Sequence, residues 1–286
     1  MEATPARSRL TGFVSAGLDF AVRDDGPLDG PVVIALHGFP QTSACWAAVT
    51  PLLVEAGYRV LAPDQRGYSP GARPQDVRAY AMARLTGDVL ALADAAGADR
   101  FHVLGHDWGA AVAWTLAGQR ADRVASLAAV SVPHPAALRR ALVGPQALRS
   151  WYMALFQLPA LPELLLRAGG GRLARRLLGG TGLRSLDASV RLLADPRTAT
   201  GTLNWYRAIR VPGQLAALPV DVPVLFVWSD GDTAIGRDAA EGAEDFADGP
   251  YRFAVLPGAS HWVPEERPAE LAALVLEHLG AHPLTG

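Results

Sequence analysis

Short unbroken apolar runs alternate along this chain with longer stretches of helical periodicity, and that rhythm predicts the architecture. Leu18-Asp19-Phe20-Ala21-Val22 alternates at period two, as a half-buried strand does, and Asp24-Asp25-Gly26-Pro27 closes it as a turn. Val32-Val33-Ile34-Ala35-Leu36 is apolar throughout, the pattern of a strand covered on both faces, and runs into His37-Gly38-Phe39-Pro40. Thr42-Ser43 can cap a helix that carries Trp46 and Leu52-Leu53 and stops near Gly57. Tyr58-Arg59-Val60-Leu61-Ala62 reads as the next strand, closed by Pro63-Asp64-Gln65-Arg66-Gly67. A helix predicted over 77–96 leads to a strand at Phe101-His102-Val103-Leu104, and another buried strand follows at 124–130, ending at Pro133-His134-Pro135.

From about Ala136 to Arg210 the texture changes. The pattern there is helical, with breaks at Gly144-Pro145, Leu158-Pro159, Gly169-Gly170-Gly171 and Asp195-Pro196. Strands resume at 223–228 and 251–256, and a last helix is predicted from Pro264 with Glu265-Glu266 in its electropositive first turn. Strands alternating with helices predict an α/β fold, a mostly parallel sheet flanked by helices. The expected division is a core of residues 1–133 and 212–286, with a helical cap, 134–211, inserted between.

One junction stands out. The strand at Phe101 passes straight into a small-residue helix through Gly105-His106-Asp107-Trp108-Gly109. So sharp a turn requires residues without a Cβ on either side of the centre. A turn of this kind holds a nucleophile at its tip in α/β-hydrolases, with Ser in the centre. Here the centre is Asp107. Ligands of open parallel sheets bind at the carboxyl ends of strands, and two more polar groups fall there. Asp232 lies in Ser229-Asp230-Gly231-Asp232, with Asp230 as its rival, and His261 lies in Pro257-Gly258-Ala259-Ser260-His261-Trp262.

Composition narrows the alternatives. The 286 residues are 50% hydrophobic with a formal charge of −2, which suits one large domain with an insertion and no nucleic-acid partner. All 26 cationic residues are arginine, scattered without a basic stripe. The single Cys45 excludes an intramolecular disulfide or a cysteine metal cluster and is expected to be a small buried residue. Met1-Glu2-Ala3-Thr4-Pro5 does not read as a signal peptide, and no apolar run approaches the ~20 residues of a membrane span, so a cytoplasmic protein without membrane partner is expected.

Taken together, His37-Gly38-Phe39-Pro40, Pro63-Asp64-Gln65-Arg66-Gly67-Tyr68-Ser69, the Asp107 elbow and Ser260-His261-Trp262 resemble the epoxide hydrolase and haloalkane dehalogenase branch of the α/β-hydrolase superfamily, most nearly the epoxide hydrolases. The resemblance covers nearly the whole chain. It implies an Asp107 nucleophile, a His261 base and an Asp232 acid, in the chain order of that fold. Ser150-Trp151-Tyr152 and Asn204-Trp205-Tyr206 resemble the segments that supply two proton-donating tyrosines, which maps those roles onto Tyr152 and Tyr206.

The chemistry accords with these residue types. A serine attacking an sp3 carbon would form an ether that a His–Asp pair cannot hydrolyse, whereas a carboxylate forms an ester that activated water can cleave. Aspartate is ionised without a base, which frees His261 to activate water. An oxyanion then develops on Asp107 itself, with the backbone N–H groups of Phe39 and Trp108 as expected donors. Trp108, Phe39, Trp151 and Phe156 are expected to contact substrate. The expected partners are a small apolar epoxide and water, without cofactor or metal, and a homodimer is left open. The rivals are a haloalkane dehalogenase, which also uses a Trp after the nucleophile, and a non-catalytic ligand receptor on the same fold. His37, His102, His106 and His134 are expected to be structural, His278 and His282 to be solvated surface, and Asp64 and Arg66 to tie a loop.

Overall fold

The computed structural model describes residues 8–212 and 218–284. Residues 1–5, in which no leader pattern was read, lie outside them. Eight strands form one sheet: β1 Gly12–Ser15, β2 Leu18–Asp25, β3 Val32–Leu36, β4 Arg59–Pro63, β5 Phe101–His106, β6 Val124–Val130, β7 Val224–Trp228 and β8 Tyr251–Val255. Their spatial order is β1-β2-β4-β3-β5-β6-β7-β8. The β1–β2 and β2–β4 pairs are antiparallel and all the others parallel.

The central strands β3 to β7 are buried on both faces, and the side chains alternate between them. Ile34 and Leu36 of β3, Val103 of β5 and Phe226 of β7 enter one core with Trp114 and Val89. Val33 and Ala35, Leu104, and Leu225 and Val227 enter the opposite core with Leu53, Leu271 and Val275. The first core is covered by α2 Met82–Ala95 and α3 Trp108–Gln119, the second by α1 Thr50–Glu55 and α12 Pro268–Ala281. Continuous apolar runs in the central strands are the necessary consequence of helices on both sides.

Between β6 and β7 the chain leaves the sheet and runs through α4 Pro135–Ala141, α5 Gln146–Arg149, α6 Trp151–Leu155, α7 Leu161–Leu178, α8 Leu186–Ala194 and α9 Pro196–Arg207. No strand occurs in this stretch among the described residues. The three glycines break α7 as expected: Gly169, Gly170 and Gly171 all have positive φ. Asp195 caps α9 by accepting from the Thr198 N–H at 2.8 Å, with Pro196 behind it. After β7 comes α10 Arg237–Glu241 and, after β8, α11 Val263–Glu266.

The structure departs from the sequence expectations in several places. Strand β1 is too short to carry a periodic signal, and it pairs only with β2. The helix expected over 77–96 begins as a 3-10 turn, Val77–Tyr80, capped by Asp76, and Ala81 at ψ 142° separates it from α2. The Trp46 helix likewise divides into a 3-10 turn, Ser43–Trp46, and α1. The last helix is interrupted at Arg267, where the following Pro268 disfavours helical backbone. His278 is not solvated surface: the face of α12 on which it lies packs on the sheet and leaves it 5% exposed.

Candidate active site

The elbow has the geometry its sequence demanded. Asp107 adopts φ 52° and ψ −121°, a conformation that side chains avoid unless the surroundings impose it. A Cβ on Gly105 would lie 2.4 Å from the Gly109 carbonyl oxygen, and one on Gly109 would lie 2.2 Å from the Leu36 carbonyl oxygen. The two glycines let β5 and α3 approach closely enough to project the carboxylate from the carboxyl edge of the sheet.

Three loops converge on that carboxylate. The Phe39 N–H, from the loop after β3, donates to Asp107 Oδ1 at 2.7 Å. His261 Nε2, from the loop after β8, stands 3.5 Å from Asp107 Oδ2, while its Nδ1 is 2.8 Å from Asp232 Oδ2. Asp232, from the loop after β7, is held in turn by the Ala234 and Ile235 N–H groups at 2.7 and 2.9 Å. The rival Asp230 instead accepts from the exposed Gly258 N–H, so it is Asp232 that faces the imidazole.

Electrostatics follow this arrangement. Burial alone would raise the Asp107 pKa, but His261, His106 and the Trp108 N–H outweigh it and hold the carboxyl below its usual value. Burial likewise opposes charge on His261, yet Asp232 and Asp107 together push its pKa up to about 10. Both shifts favour the same pairing, carboxylate against imidazolium. Burial first, and the Asp107 charge with it, also raises the hydroxyls of Tyr152 and Tyr206, so both stay protonated. The Trp108 side chain, hydrogen-bonding toward Tyr206, acts in the opposite direction.

A cavity of about 420 Å³ joins these groups. Asp107, Trp108, Tyr152, Tyr206 and His261 are among its lining residues, and the rest of the wall is mainly apolar, with Val132, Leu138, Leu142, Ile209 and Ile235. The helices between β6 and β7 thus bring both tyrosines into one cavity with Asp107, their ring centroids 6.0 Å apart. Of the four residues expected to contact substrate, Trp108 lines this cavity. Phe39 and Phe156 are buried behind the tyrosines, each edge-on to Tyr206, and do not line the cavity. Trp151 is not at the cavity either: it is 57% exposed, because its neighbour Tyr152 takes the inward face of α6. The aliphatic wall was missed in the sequence since Leu, Ile and Val there carry no signal distinguishing them from core.

His37 accepts from the Gln65 N–H, Asp64 accepts from the Ser43 N–H and Arg66 pairs with Asp88, all structural contacts. Cys45 is buried. Among the described residues no cluster of His, Cys, Asp or Glu is placed to hold a metal ion, and no helix is long and apolar enough to cross a membrane.

Residues 31–268 match the model of the alpha/beta hydrolase fold family, and the chain belongs to that family. It is an enzyme of this fold, and its relatives carry a more specific name. Epoxide hydrolase A of Mycobacterium tuberculosis is 38% identical, across 92% of this chain and 94% of its own. An AB hydrolase superfamily protein of Bacillus subtilis, YfhM, is 36% identical over 92% of this chain and 95% of its own. The crystal structure of Epoxide Hydrolase A from Mycobacterium thermoresistibile superposes with a TM-score of 0.84 at 33% identity, covering 97% of this chain and 99% of that one.

Proposed function

We propose that this protein hydrolyses epoxides to vicinal diols through an ester on Asp107, with residues 134–211 acting as a cap over the core. The observation that carries this reading is the placement of two protonated phenols, Tyr152 and Tyr206, in one cavity with a buried carboxylate. Ring opening leaves an alkoxide, which needs a proton donor, and phenols supply one. The epoxide-hydrolase names of the relatives support it.

The protons balance over the cycle. Asp107 attacks a ring carbon, the carbon–oxygen bond breaks, and the alkoxide takes a proton from a tyrosine. The resulting phenolate, strongly disfavoured in this buried site, is reprotonated at the expense of the His261 imidazolium. Ester formation has meanwhile removed the Asp107 charge, one of the two charges that held the proton on His261. Neutral His261 then takes a proton from water, whose oxygen attacks the ester carbonyl. The oxyanion forms where Asp107 Oδ1 now accepts from the Phe39 N–H, with Trp108 N–H as second donor. Collapse breaks the bond from the carbonyl carbon to the alkoxy oxygen, that oxygen takes the second proton of the water, and diol, carboxylate and imidazolium result.

The dehalogenase alternative would need the Trp108 indole for a halide. In the structure that ring lies 5.1 Å from Tyr206, at 88°, and hydrogen-bonds toward it. Incubation with styrene oxide and, separately, with a 1-haloalkane tests the choice. Diol formation without halide release is expected; halide release with no diol overturns the assignment. A single turnover in 18O-water should place label in Asp107, and label in the first-turnover diol rules out the ester.

A further inference from the structure

The loop that carries His261 is held from below by side chains the reaction itself does not use. Three parallel strands that lie side by side each end in one of them. His106, the last residue of β5, places Nε2 2.9 Å from the His261 carbonyl oxygen. Ser131, directly after β6, donates its hydroxyl to the same oxygen at 2.7 Å. Ser229, directly after β7, donates to the adjacent Ser260 carbonyl at 2.8 Å. All three are fully buried.

Two of these contacts are maintained against a cost. Ser131 is a non-glycine residue at φ 67°, a strained backbone state that persists only where the surroundings impose it. His106 must carry its proton on Nε2 to donate to a carbonyl, which leaves Nδ1 buried without a partner. Burial, with the neighbouring His261 charge, keeps this ring neutral, so it is a fixed donor under a charged residue. A strained backbone and an orphaned nitrogen converge on one carbonyl oxygen.

We infer that His106 and Ser131 are positioning residues: their paired hydrogen bonds to the His261 carbonyl hold the imidazole at the distance and angle that water activation requires. Aligned directly on Asp232, His261 has little freedom at Nδ1, so a loosened backbone is felt at Nε2, the atom that must reach the ester. The inference rests on the covalent reading above and predicts a division between its two steps. Attack by Asp107 uses the tyrosines and does not need His261 as a base; ester hydrolysis does.

The test compares Ser131→Ala, His106→Leu and His106→Gln with the parent, using styrene oxide and rapid-quench mass spectrometry of the intact protein. Ser131→Ala and His106→Leu should form the Asp107 adduct within about twofold of the parental rate and hydrolyse it about tenfold more slowly, so that ester accumulates. His106→Gln, which retains an N–H donor, should recover most of the loss. Unchanged hydrolysis in both variants, or equal loss of both steps, overturns the inference. A second readout does not depend on ester chemistry. The 15N NMR titration of His261, whose ring is faced by Asp107, Asp232 and His106, should shift to a lower midpoint in Ser131→Ala, and an identical midpoint overturns the inference. If neither the parent nor His261→Gln forms an adduct, the covalent reading is what fails, and the titration still decides the positioning role.

Discussion

At the scale of single residues, the site works through charges that depend on one another. Against the cost of burial, His261, with His106 and the Trp108 N–H, holds the Asp107 carboxyl below its usual value, and Asp232 and Asp107 in turn raise the His261 pKa. In the proposed cycle, conversion of Asp107 to a neutral ester removes one of the two groups that raise the His261 pKa and so frees the imidazole to act as a base. His261→Gln should therefore still alkylate and then stop, which mass spectrometry would register as a stable adduct; continued turnover at the parental rate contradicts the assigned role. Removing both phenols by Tyr152→Phe with Tyr206→Phe should lower kcat with styrene oxide by roughly 10²–10⁴-fold, the usual span for a lost general acid. Circular dichroism should show the fold retained, since both rings keep their packing.

At the scale of elements, precision at Asp107 comes from close approach of backbones. In Gly109→Ala the new methyl would meet the Leu36 carbonyl oxygen, so α3 must shift away from β3. A loss of about 1–3 kcal/mol in urea denaturation is expected, together with a fall in kcat, because the same shift moves the Asp107 carboxylate. Far from the cavity, the antiparallel edge depends on a buried pair. Arg59 of β4 makes two hydrogen bonds to the Asp24 carboxylate of β2, at 2.9 and 2.6 Å, with both side chains almost fully excluded from water. Asp24→Ala would leave the guanidinium uncompensated. The expected loss is about 3–5 kcal/mol of stability, read by denaturant melts, with the kinetics of the surviving folded protein little changed.

At the scale of the whole molecule, stability should peak near an ordinary histidine pKa, about 6.5. Burial lowers the pKa of His102, His106, His134 and His278 to about 4 in the folded protein. His278 is held neutral in this way although it lies close to the end of the chain. Between the ordinary value and 4 the unfolded chain binds protons that the folded one refuses, so stability falls as the pH is lowered through that window. His261 has the opposite sign. Its folded pKa is raised to about 10, so its contribution is complete below the ordinary histidine value and is lost as pH rises toward 10. Thermal melts across this range should trace a dome. His261→Gln should flatten its alkaline side, and a melting temperature that stays level throughout the acid window contradicts the neutral buried histidines.

Much of this was legible in the chain and some was not, for physical reasons. The mostly apolar runs at 32–36, 101–104, 124–130 and 223–228 pointed to a sheet covered on both faces, because a strand with one face in water alternates apolar and polar positions. Gly105 and Gly109 determined the elbow, since no Cβ fits there. Local sequence also singled out Asp107, His261, Tyr152 and Tyr206. Tertiary structure alone decided the rest. It set Asp232 rather than Asp230 against His261, turned Trp151 to solvent and Tyr152 to the cavity, and buried His278. It also gathered Val132, Leu142 and Ile209 into one wall. The reason is common to all of these. A local pattern specifies whether a residue lies in a strand, a helix or a turn, but which of two neighbours meets a distant partner depends on how those elements pack, and no single segment contains that information.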